Sequence, residues 1–179
     1  MVSESPLAEF QAECTKSLED ALKKVLPETE VSGLSIGKPP SPDFGQLASS
    51  LCFELAKKVE EEPLALAERI VDNLDLKNFS LIRQVVPAGS GYINFHVDFA
   101  MFSGLTIDSV RHFGEEYGFV KTDNPMRIIV EHTSANPLSP IHIGQARNPI
   151  LGDTIARILK RRGHTVYCHY YVDDVGRQS

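Results

Sequence analysis

MRIIVEHTSANPLSPIHIGQARNPILGDTIARILKRRGHTVYCHYYVDDVGRQS, residues 126–179, is the stretch that decides the fold of this chain. It starts with Ile128-Ile129-Val130, a β-branched run typical of a strand covered on both faces in a parallel sheet. A helical pattern runs from Ile143 to Leu159 and closes with cationic residues and Gly163 as its C-cap. Residues 164–172 have the pattern of a second strand. This strand–helix–strand order predicts a right-handed parallel crossover.

The gap between the first strand and the helix is the expected ligand site. In such sheets ligands lie beyond the carboxyl ends of the strands, here between Glu131 and His142. The helix N-terminus would offer free N–H groups and the positive end of its dipole to a phosphate. His142 would donate to phosphate oxygens as negative charge builds, and Gly144 would let a flat base lie close to the backbone. Alone, His-x-Gly is a weak signal, because a helix-start glycine beside a partly buried histidine gives the same pattern.

Length and composition indicate a globular chain of one or two domains. The 179 residues are 42% hydrophobic and 23% charged, which is ordinary for such proteins. No apolar run approaches the ~18 residues of a membrane span, and the N-terminus lacks the pattern of a signal peptide. The three scattered cysteines (Cys14, Cys52 and Cys168) suit a reducing cytoplasm and have no metal-ligand spacing. We expect buried thiols, no bound metal and a cytoplasmic location.

The net charge of −6 is distributed unevenly. Residues 1–120 carry 10 Lys+Arg against 19 Asp+Glu, whereas residues 121–179 carry 8 against 5. Anion-binding chemistry is therefore expected in the last third of the chain. The acidic part cannot bind nucleic acid through a broad positive surface, so any RNA contact there must use a small basic spot or shape.

The residues before the decisive stretch form a separate module with the predicted order α-β-α-α-β-β-α. We expect a small α+β domain, with helices on a mostly antiparallel sheet, over residues 1–118, followed by a second domain over residues 119–179. The polar run 114–125 is the predicted linker. The predicted elements are a helix from Ser5-Pro6 to Leu26, a strand over Val31–Ile36, a helix to Val59 that begins with a capping box at Asp43-Phe44-Gly45-Gln46, a helix from Glu62-Pro63 to Leu74, a hairpin of Ile82–Val86 and Tyr92–Val97, and a helix capped by Asp98.

The residues around His142 resemble arginyl-tRNA synthetases, especially archaeal ones. The resemblance lies in the class I signature block around the "HIGH" motif and continues, less specifically, into the family's N-terminal additional domain. It therefore covers nearly the whole chain. The matching stretches are Glu131-His-Thr-Ser134-Ala-Asn136-Pro137, Pro140-Ile-His142-Ile-Gly144, Ala146-Arg147-Asn148, Gly152-Asp153 and Asp173-Asp174-Val175-Gly176-Arg177-Gln178, then Asp43-Phe44-Gly45, Leu47-Ala48, Ala56-Lys57, Ala67-Glu68 and Gly91-Tyr92-Ile93-Asn94-Phe95 upstream.

The resemblance implies the first β-α-β of a Rossmann-like catalytic domain, which activates arginine with ATP and transfers it to tRNA-Arg. Mg²⁺ would accompany the ATP. The implied catalytic residues are His142 and Gln145, which with Pro140 and Gly144 would also hold ATP. Arginine would be held at three positions: Ser134 and Asn136 at its α-amino and α-carboxylate ends and Glu131 at its guanidinium. The N-terminal domain would contact the outer corner of the tRNA at the D-loop.

Simpler interpretations of several of these residues stay open. Glu131 alone would also suit a strand end, and Asn136-Pro137 alone would suit a turn. Asp173-Asp174 would equally well terminate a strand.

Four features depart from the family pattern. Gln145 replaces the second histidine of the motif, and losing one such donor typically costs about 10²–10³ in rate. Pro149 removes the N–H that would bond the Gln145 carbonyl, so the phosphate-binding turn should be kinked unless the helix restarts at Asn148. Third, the second half of the nucleotide-binding sheet, the "KMSKS" loop and the anticodon-binding domain are not in this sequence. Ser139 also stands where the family often has lysine or glycine.

We therefore expect an N-terminal part of an arginine–tRNA ligase that does not aminoacylate by itself. The alternative is a tRNA-binding module, or a subunit of a split synthetase that a second polypeptide completes. A third hypothesis, a nucleotidylyltransferase of the same superfamily, is disfavoured because Glu131-His-Thr-Ser-Ala-Asn136 replaces the strand–loop sequence of that group.

Overall fold

The structure is a computed structural model that describes residues 2–29, 33–133 and 142–171. The chain divides into two compact units, residues 1–117 and residues 118–179. They are called unit 1 and unit 2, and each is described by itself.

Unit 1 consists of helices on a four-stranded sheet, which confirms the predicted α+β class. The strand order is β1 (Ile36–Gly37), β2 (Leu47–Ser49), β4 (Tyr92–Val97) and β3 (Ile82–Ala88), and all three pairings are antiparallel. Two short 3-10 turns, Pro42–Phe44 and Gly114–Glu116, lie between the regular elements. These elements are α1 (Pro6–Val25), β1 (Ile36–Gly37), β2 (Leu47–Ser49), α2 (Leu51–Val59), α3 (Pro63–Asp72), β3 (Ile82–Ala88), β4 (Tyr92–Val97) and α4 (Phe99–Phe113).

The core of unit 1 lies between the helices and one face of the sheet. Helix α1 has apolar residues at three- and four-residue steps, which predict one buried stripe from Leu7 onward. The structure buries Phe10, Cys14 and Leu18, but Leu7 is 58% exposed, so the prediction is wrong for that residue. Strand β4 buries Ile93, Phe95 and Val97, which alternate along the strand and so share one face. Asp98 caps α4 as predicted, through hydrogen bonds that its carboxylate accepts from the amides of Ala100 and Met101.

The predicted capping box at Asp43–Gln46 is wrong. The Ser41 hydroxyl accepts from the Asp43 amide at the start of the 3-10 turn, and Gln46 Oε1 accepts from the Val97 amide at 2.9 Å. Residues 47–49 then form β2 against β4, and the helix begins only at Leu51. Apolar residues four positions apart share one side of a helix, and they also share one face of a strand. The period of Leu47 and Leu51 therefore did not separate the two structures.

Smaller differences lie at element ends. Strand β1 is short and extends past the predicted end at Ile36 to Gly37; residues 30–32 lie outside the described part of the chain. The hairpin is tighter than predicted, because β3 continues to Ala88, which pairs with Tyr92. Ser5 occupies the N-cap of α1 without a side-chain cap bond. On α4, the apolar residues Phe99 and Val110 are 64% and 43% exposed, so they are not core positions.

Unit 2 has the predicted strand–helix–strand order: β5 (Arg127–Glu131), α5 (Ile143–Arg161) and β6 (Thr165–His169). The strands pair in parallel from Arg127↔Thr165 to Glu131↔His169, as predicted. Gly163, with φ +91°, follows the helix end, where the left-handed region favours glycine. Helix α5 buries Gly152 and Ala156 towards the strands. Residues 172–179, which include Asp173-Asp174, lie outside the described part.

No helix in the described ranges is both long and apolar enough to cross a membrane.

Candidate functional site

The carboxyl ends of β5 and β6 and the first turn of α5 form the predicted ligand edge of unit 2. Glu131 ends β5, is exposed, and pairs in register with His169 at the end of β6. His142 is the N-cap of α5. Ser134, Asn136 and Pro140 belong to residues 134–141, which are outside the described part, so their predicted roles stay predictions.

His142 caps the helix with its own ring. Its Nδ1 lies 3.2 Å from the Gly144 amide and accepts that hydrogen bond. A ring nitrogen that accepts from an N–H must carry a lone pair, so the neutral ring has its proton on Nε2. The residue is exposed, and Nε2 is therefore the atom with which His142 can donate to a ligand.

Gln145 completes a capping box. Its Oε1 lies 3.2 Å from the His142 amide and accepts that hydrogen bond. The side-chain Nε2 then remains as a donor, so glutamine keeps one of the functions that the missing histidine would have supplied.

The expectation of free amides at the start of the helix is wrong for most of them. The amides of His142 and Gly144 bond to side chains of the same turn, and the Gln145 amide donates to the His142 carbonyl at 2.9 Å. Any phosphate that binds here must exchange with these contacts. Each such cap is worth about 1 kcal/mol, which is within reach of a charged ligand.

Pro149 lies inside one continuous helix, Ile143–Arg161. The alternative in which the helix restarts with Asn148 as its cap is therefore excluded. Proline has no N–H to donate to the Gln145 carbonyl, so the turn that carries the motif lacks one bond of an ideal helix.

Two glycines of α5 meet a histidine. A Cβ on Gly144 would lie 3.1 Å from Cε1 of His142, so this glycine leaves room for the capping ring. A Cβ on Gly152 would overlap Cβ and Cγ of His132 and come within 2.8 Å of its Cδ2. Gly152 therefore sets how closely the helix approaches the end of β5. Sequence reasoning did not assign a role to His132, although a glycine inside a helix can signal a close approach.

Beside the motif, one side of α5 forms an open, mostly apolar cavity of about 640 Å³. Gly144 is part of its wall, which gives a flat ligand access to the backbone there. The lining residues are Ile143, Gly144, Ala146, Arg147, Ile150, Leu151 and Thr154.

Unit 1 has a groove of its own, about 520 Å³ in volume, over the face of the sheet opposite the core. Tyr92 and Phe44 line it and are 45% and 49% exposed, whereas Asn94 is only 4% exposed. Lys38 supplies a cation at its wall. The Tyr92 ring packs edge-on against Phe53, with centroids 4.9 Å apart, so its orientation is fixed.

Two family models match nearly the whole chain between them. Residues 12–97 match the arginyl tRNA synthetase N terminal domain, and residues 107–179 match the class I (R) tRNA synthetase catalytic domain.

Curated relatives agree with these matches. An arginine–tRNA ligase of Thermococcus sibiricus is 43% identical over 78% of this chain and 22% of its own length. One from Methanocaldococcus jannaschii is 38% identical over 89% of this chain and 28% of its own. This chain therefore spans about a quarter of the length of the relatives it matches.

Solved structures give the same result for the fold. The arginyl-tRNA synthetase of Thermus thermophilus matches 93% of this chain and 26% of its own at 31% identity, with a TM-score of 0.55. The enzyme of Plasmodium falciparum matches 89% of this chain and 30% of its own, with a TM-score of 0.64. At 16% identity the second match is evidence for the fold alone.

Proposed function

This chain belongs to the arginyl-tRNA synthetase family, and on that premise we propose that it takes part in joining arginine to tRNA-Arg with ATP. Residues 1–118 would contact the tRNA, and residues 119–179 would supply the first half of the nucleotide site. The compact units 1–117 and 118–179 support this division. Mg²⁺ is expected to arrive with ATP, because this ion is usually held by substrate phosphates and water. Cys14 and Cys52 are buried free thiols, as expected, whereas Cys168 is exposed, so the expectation is wrong for that residue. Free thiols suit work in the cytoplasm.

The observation that carries the ATP assignment is the cap geometry of α5. The Nδ1 atom of His142 and the Oε1 atom of Gln145 both accept from backbone amides of the first turn. Both side chains are thereby left with an Nε2 donor, in the same turn and at the positive end of a 19-residue helix. Two donors beside a helix N-terminus are suited to a polyphosphate.

The chemistry follows from these donors. The carboxylate of arginine attacks the α-phosphorus of ATP, a bond to the carboxylate oxygen forms, and pyrophosphate leaves with the electrons of the broken P–O bond. Negative charge grows on the phosphate oxygens during this step. Donors fixed in advance lower the barrier more than they tighten ground-state binding. His142 and Gln145 would act in this way. The adenine would lie against Gly144, at the wall of the open cavity.

Arginine itself would be held at the strand edge. Glu131 presents an exposed carboxylate at the end of β5, and a carboxylate matches the planar donors of a guanidinium. Ser134 and Asn136, which follow in sequence, would take the α-amino and α-carboxylate groups, and Pro140 would border the ATP.

The groove of unit 1 is our candidate for the tRNA contact. Unit 1 is acidic overall, so a contact by shape and stacking is favoured over a broad charge attraction. Tyr92 and Phe44 offer exposed rings on which a base could stack, and stacking is worth roughly 1–3 kcal/mol per base. Asn94 offers amide groups for the edge of such a base, and Lys38 a charge for its phosphate.

A titration with ATP tests the nucleotide assignment. We expect His142→Ala to weaken ATP binding by roughly tenfold or more, since about 1.4 kcal/mol from one lost charge-assisted bond is a factor of ten. Gln145→Glu is a second probe, because glutamate preserves the capping box but loses the Nε2 donor and adds a negative charge. It should also weaken binding. His112→Ala, at an exposed histidine in the last turn of α4, is the matched control. Equal ATP affinity for wild type and His142→Ala would refute the assignment.

A second candidate function has its own support. Unit 2 presents Ile129, Ile143 and Ile150 at 63%, 89% and 70% exposure, as expected of surfaces made for a neighbour. The 179-residue polypeptide would then be a tRNA-binding module, or a subunit completed by a second polypeptide, with no catalysis of its own. Charging of labelled arginine onto tRNA by the purified chain distinguishes the two: turnover would exclude the second candidate. Family membership removes the nucleotidylyltransferase alternative.

A further inference from the structure

The end of α5 that lies away from His142 has a cavity of about 410 Å³ with a basic wall. It is lined by Phe119, Arg157, Ile158, Lys160 and Arg161, so three cations, one aromatic ring and one aliphatic side chain meet there. We call it the α5 basic cavity. A helix of 19 residues is about 28 Å long, so this cavity is separate from the nucleotide site at the other end.

The segment before β5 builds one wall of the cavity. Arg162 Nη1 donates to the Val120 carbonyl at 2.8 Å, and the Thr122 amide donates to the Arg162 carbonyl at 2.9 Å. These two bonds hold the segment on the helix end. They also place the Phe119 ring under the Arg161 guanidinium, whose Cζ is 4.6 Å from the ring centroid. The wall is therefore ordered by specific contacts and is more than a row of loose surface charges.

Charge is concentrated at this end of unit 2. Five of the eight Lys+Arg of residues 121–179 are Lys121, Arg157, Lys160, Arg161 and Arg162. Cations in a last helical turn also offset the helix dipole, and that effect alone would account for Lys160 and Arg161. It does not account for Arg157, which lies one turn earlier, nor for the aromatic wall. Among the described residues, none of those that line the cavity carries a carboxylate, although the whole chain has a net charge of −6.

Arg157 can accept an anionic ligand at low cost. Arg157 Nε pairs with Asp153 at 2.8 Å, but the two side chains are 77% and 55% exposed, and such surface pairs contribute little. A phosphate can therefore replace Asp153 as the partner of Arg157. Cations beside an aromatic and an aliphatic surface suit a nucleic-acid backbone, in which phosphates alternate with flat bases and sugars.

We propose that the α5 basic cavity is a phosphate-binding surface for RNA, which gives unit 2 a contact with the tRNA independent of the nucleotide site. The RNA identity of the ligand rests on the proposed function. The contact is independent of base sequence, because arginine and lysine at this surface would meet phosphates.

Fluorescence anisotropy of two labelled RNAs, a tRNA-Arg transcript and a 20-nucleotide oligouridine, tests the proposal with the full 179-residue chain. The test variant is Arg157→Gln/Lys160→Gln. The matched control is Lys57→Gln/Lys58→Gln, which removes the same charge from the last turn of α2 in unit 1. The variant Arg157→Lys/Lys160→Arg keeps the charge, and circular dichroism verifies the helix content of each protein.

The expected result is a change in salt dependence. The slope of log K against log[salt] should fall by about 1.4–1.8 in the test variant, since each phosphate contact contributes about 0.7–0.9. Affinity at 0.1 M salt should fall at least tenfold for both RNAs. The control and the charge-preserving variant should keep the wild-type slope. Equal slopes for the test variant and wild type, or no salt-dependent RNA binding by wild type, would overturn the proposal.

A separate variant distinguishes failure of the cavity proposal from failure of the proposed function. Tyr92→Ala, in the groove of unit 1, should weaken tRNA binding without changing the slope. If Tyr92→Ala weakens binding and the cavity variant does not, the cavity proposal fails and the tRNA assignment of unit 1 stands. If only the cavity variant weakens binding, and does so equally for tRNA and oligouridine, the cavity proposal stands and the tRNA assignment of unit 1 fails.

Discussion

Gly152→Ala should loosen the packing of α5 against β5. The new Cβ would overlap Cβ and Cγ of His132, and because the backbone fixes the position of Cβ, no rotamer change removes that overlap. Overpacking of this kind costs typically about 1–3 kcal/mol, and the overlap here favours the upper end. Alanine regains up to about 1 kcal/mol of helix propensity. The net destabilisation should therefore be about 2 kcal/mol, which is roughly a 30-fold loss of protection.

Native-state hydrogen exchange measures this effect on each unit separately. Peptides from α5 should lose protection in Gly152→Ala, whereas peptides from α2 should not change. Gly104→Ala is the matched control, because Gly104 also lies inside a helix and a Cβ there would meet nothing within 4 Å. It should stabilise α4 slightly. His132→Gly removes the overlapping atoms and should restore α5 protection in the Gly152→Ala background. A Gly152→Ala protein as stable as wild type would refute the close-approach argument.

Three other predictions concern unit 1. Glu60→Gly should raise the free energy of unfolding by about 0.5–1 kcal/mol, because Glu60 holds a left-handed φ of 54° at the end of α2, where glycine is not strained. Chemical denaturation measures this free energy, and a lower value for the variant than for wild type would contradict the prediction. Asp98→Ala should lower the free energy of unfolding by about 1 kcal/mol through loss of the α4 cap, whereas Asp98→Asn should leave it nearly unchanged. Equal losses of stability in the two variants would argue against the cap. Burial and the Glu61 carboxylate raise the pKa of the Cys52 thiol to about 11. The contribution of the neutral Cys52 thiol to the free energy of unfolding is therefore complete at a pH below the unfolded-state pKa of about 8.5. It is lost as the pH rises towards 11. Denaturation of wild type against Cys52→Ala across that window should show the decline, and a constant difference would contradict it.

The sequence predicted those parts of the fold in which a residue pattern is compatible with only one local structure. Consecutive β-branched residues at 128–130 predict a strand, which the structure has, although Ile129 is 63% exposed and the expected cover on both faces is therefore wrong. Asp98 before an apolar helix predicts a cap, which the structure also has. Leu47 was misassigned because a four-residue step is compatible with a strand and with a helix alike. Its strand is selected by β4, which bonds the Gln46 amide and side chain. That is a long-range effect that no local pattern contains.

The candidate site was predictable in its location and less so in its detail. The motif places His142 at a helix start, as the structure does. The side chain of Gln145 caps its own helix by accepting from a backbone amide that a ligand could also bind. Residue types alone do not decide whether the side chain or the ligand occupies that amide. The contact of Gly152 with His132 brings together residues twenty positions apart, and a single glycine could only hint at it.

The two sheets differ in how well their edge strands are protected against pairing with another molecule. In the four-stranded sheet one border strand, β1, is only two residues long, and the other, β3, contains Pro87, which has no N–H to offer, and a register shift near Arg83. Such borders discourage intermolecular pairing. The β5–β6 pair, as far as the structure describes it, has two regular five-residue strands with neither protection. At high protein concentration or on mild heating, pairing between molecules should therefore start from residues 127–131 or 165–169. The four-stranded sheet of unit 1 should take no part in it.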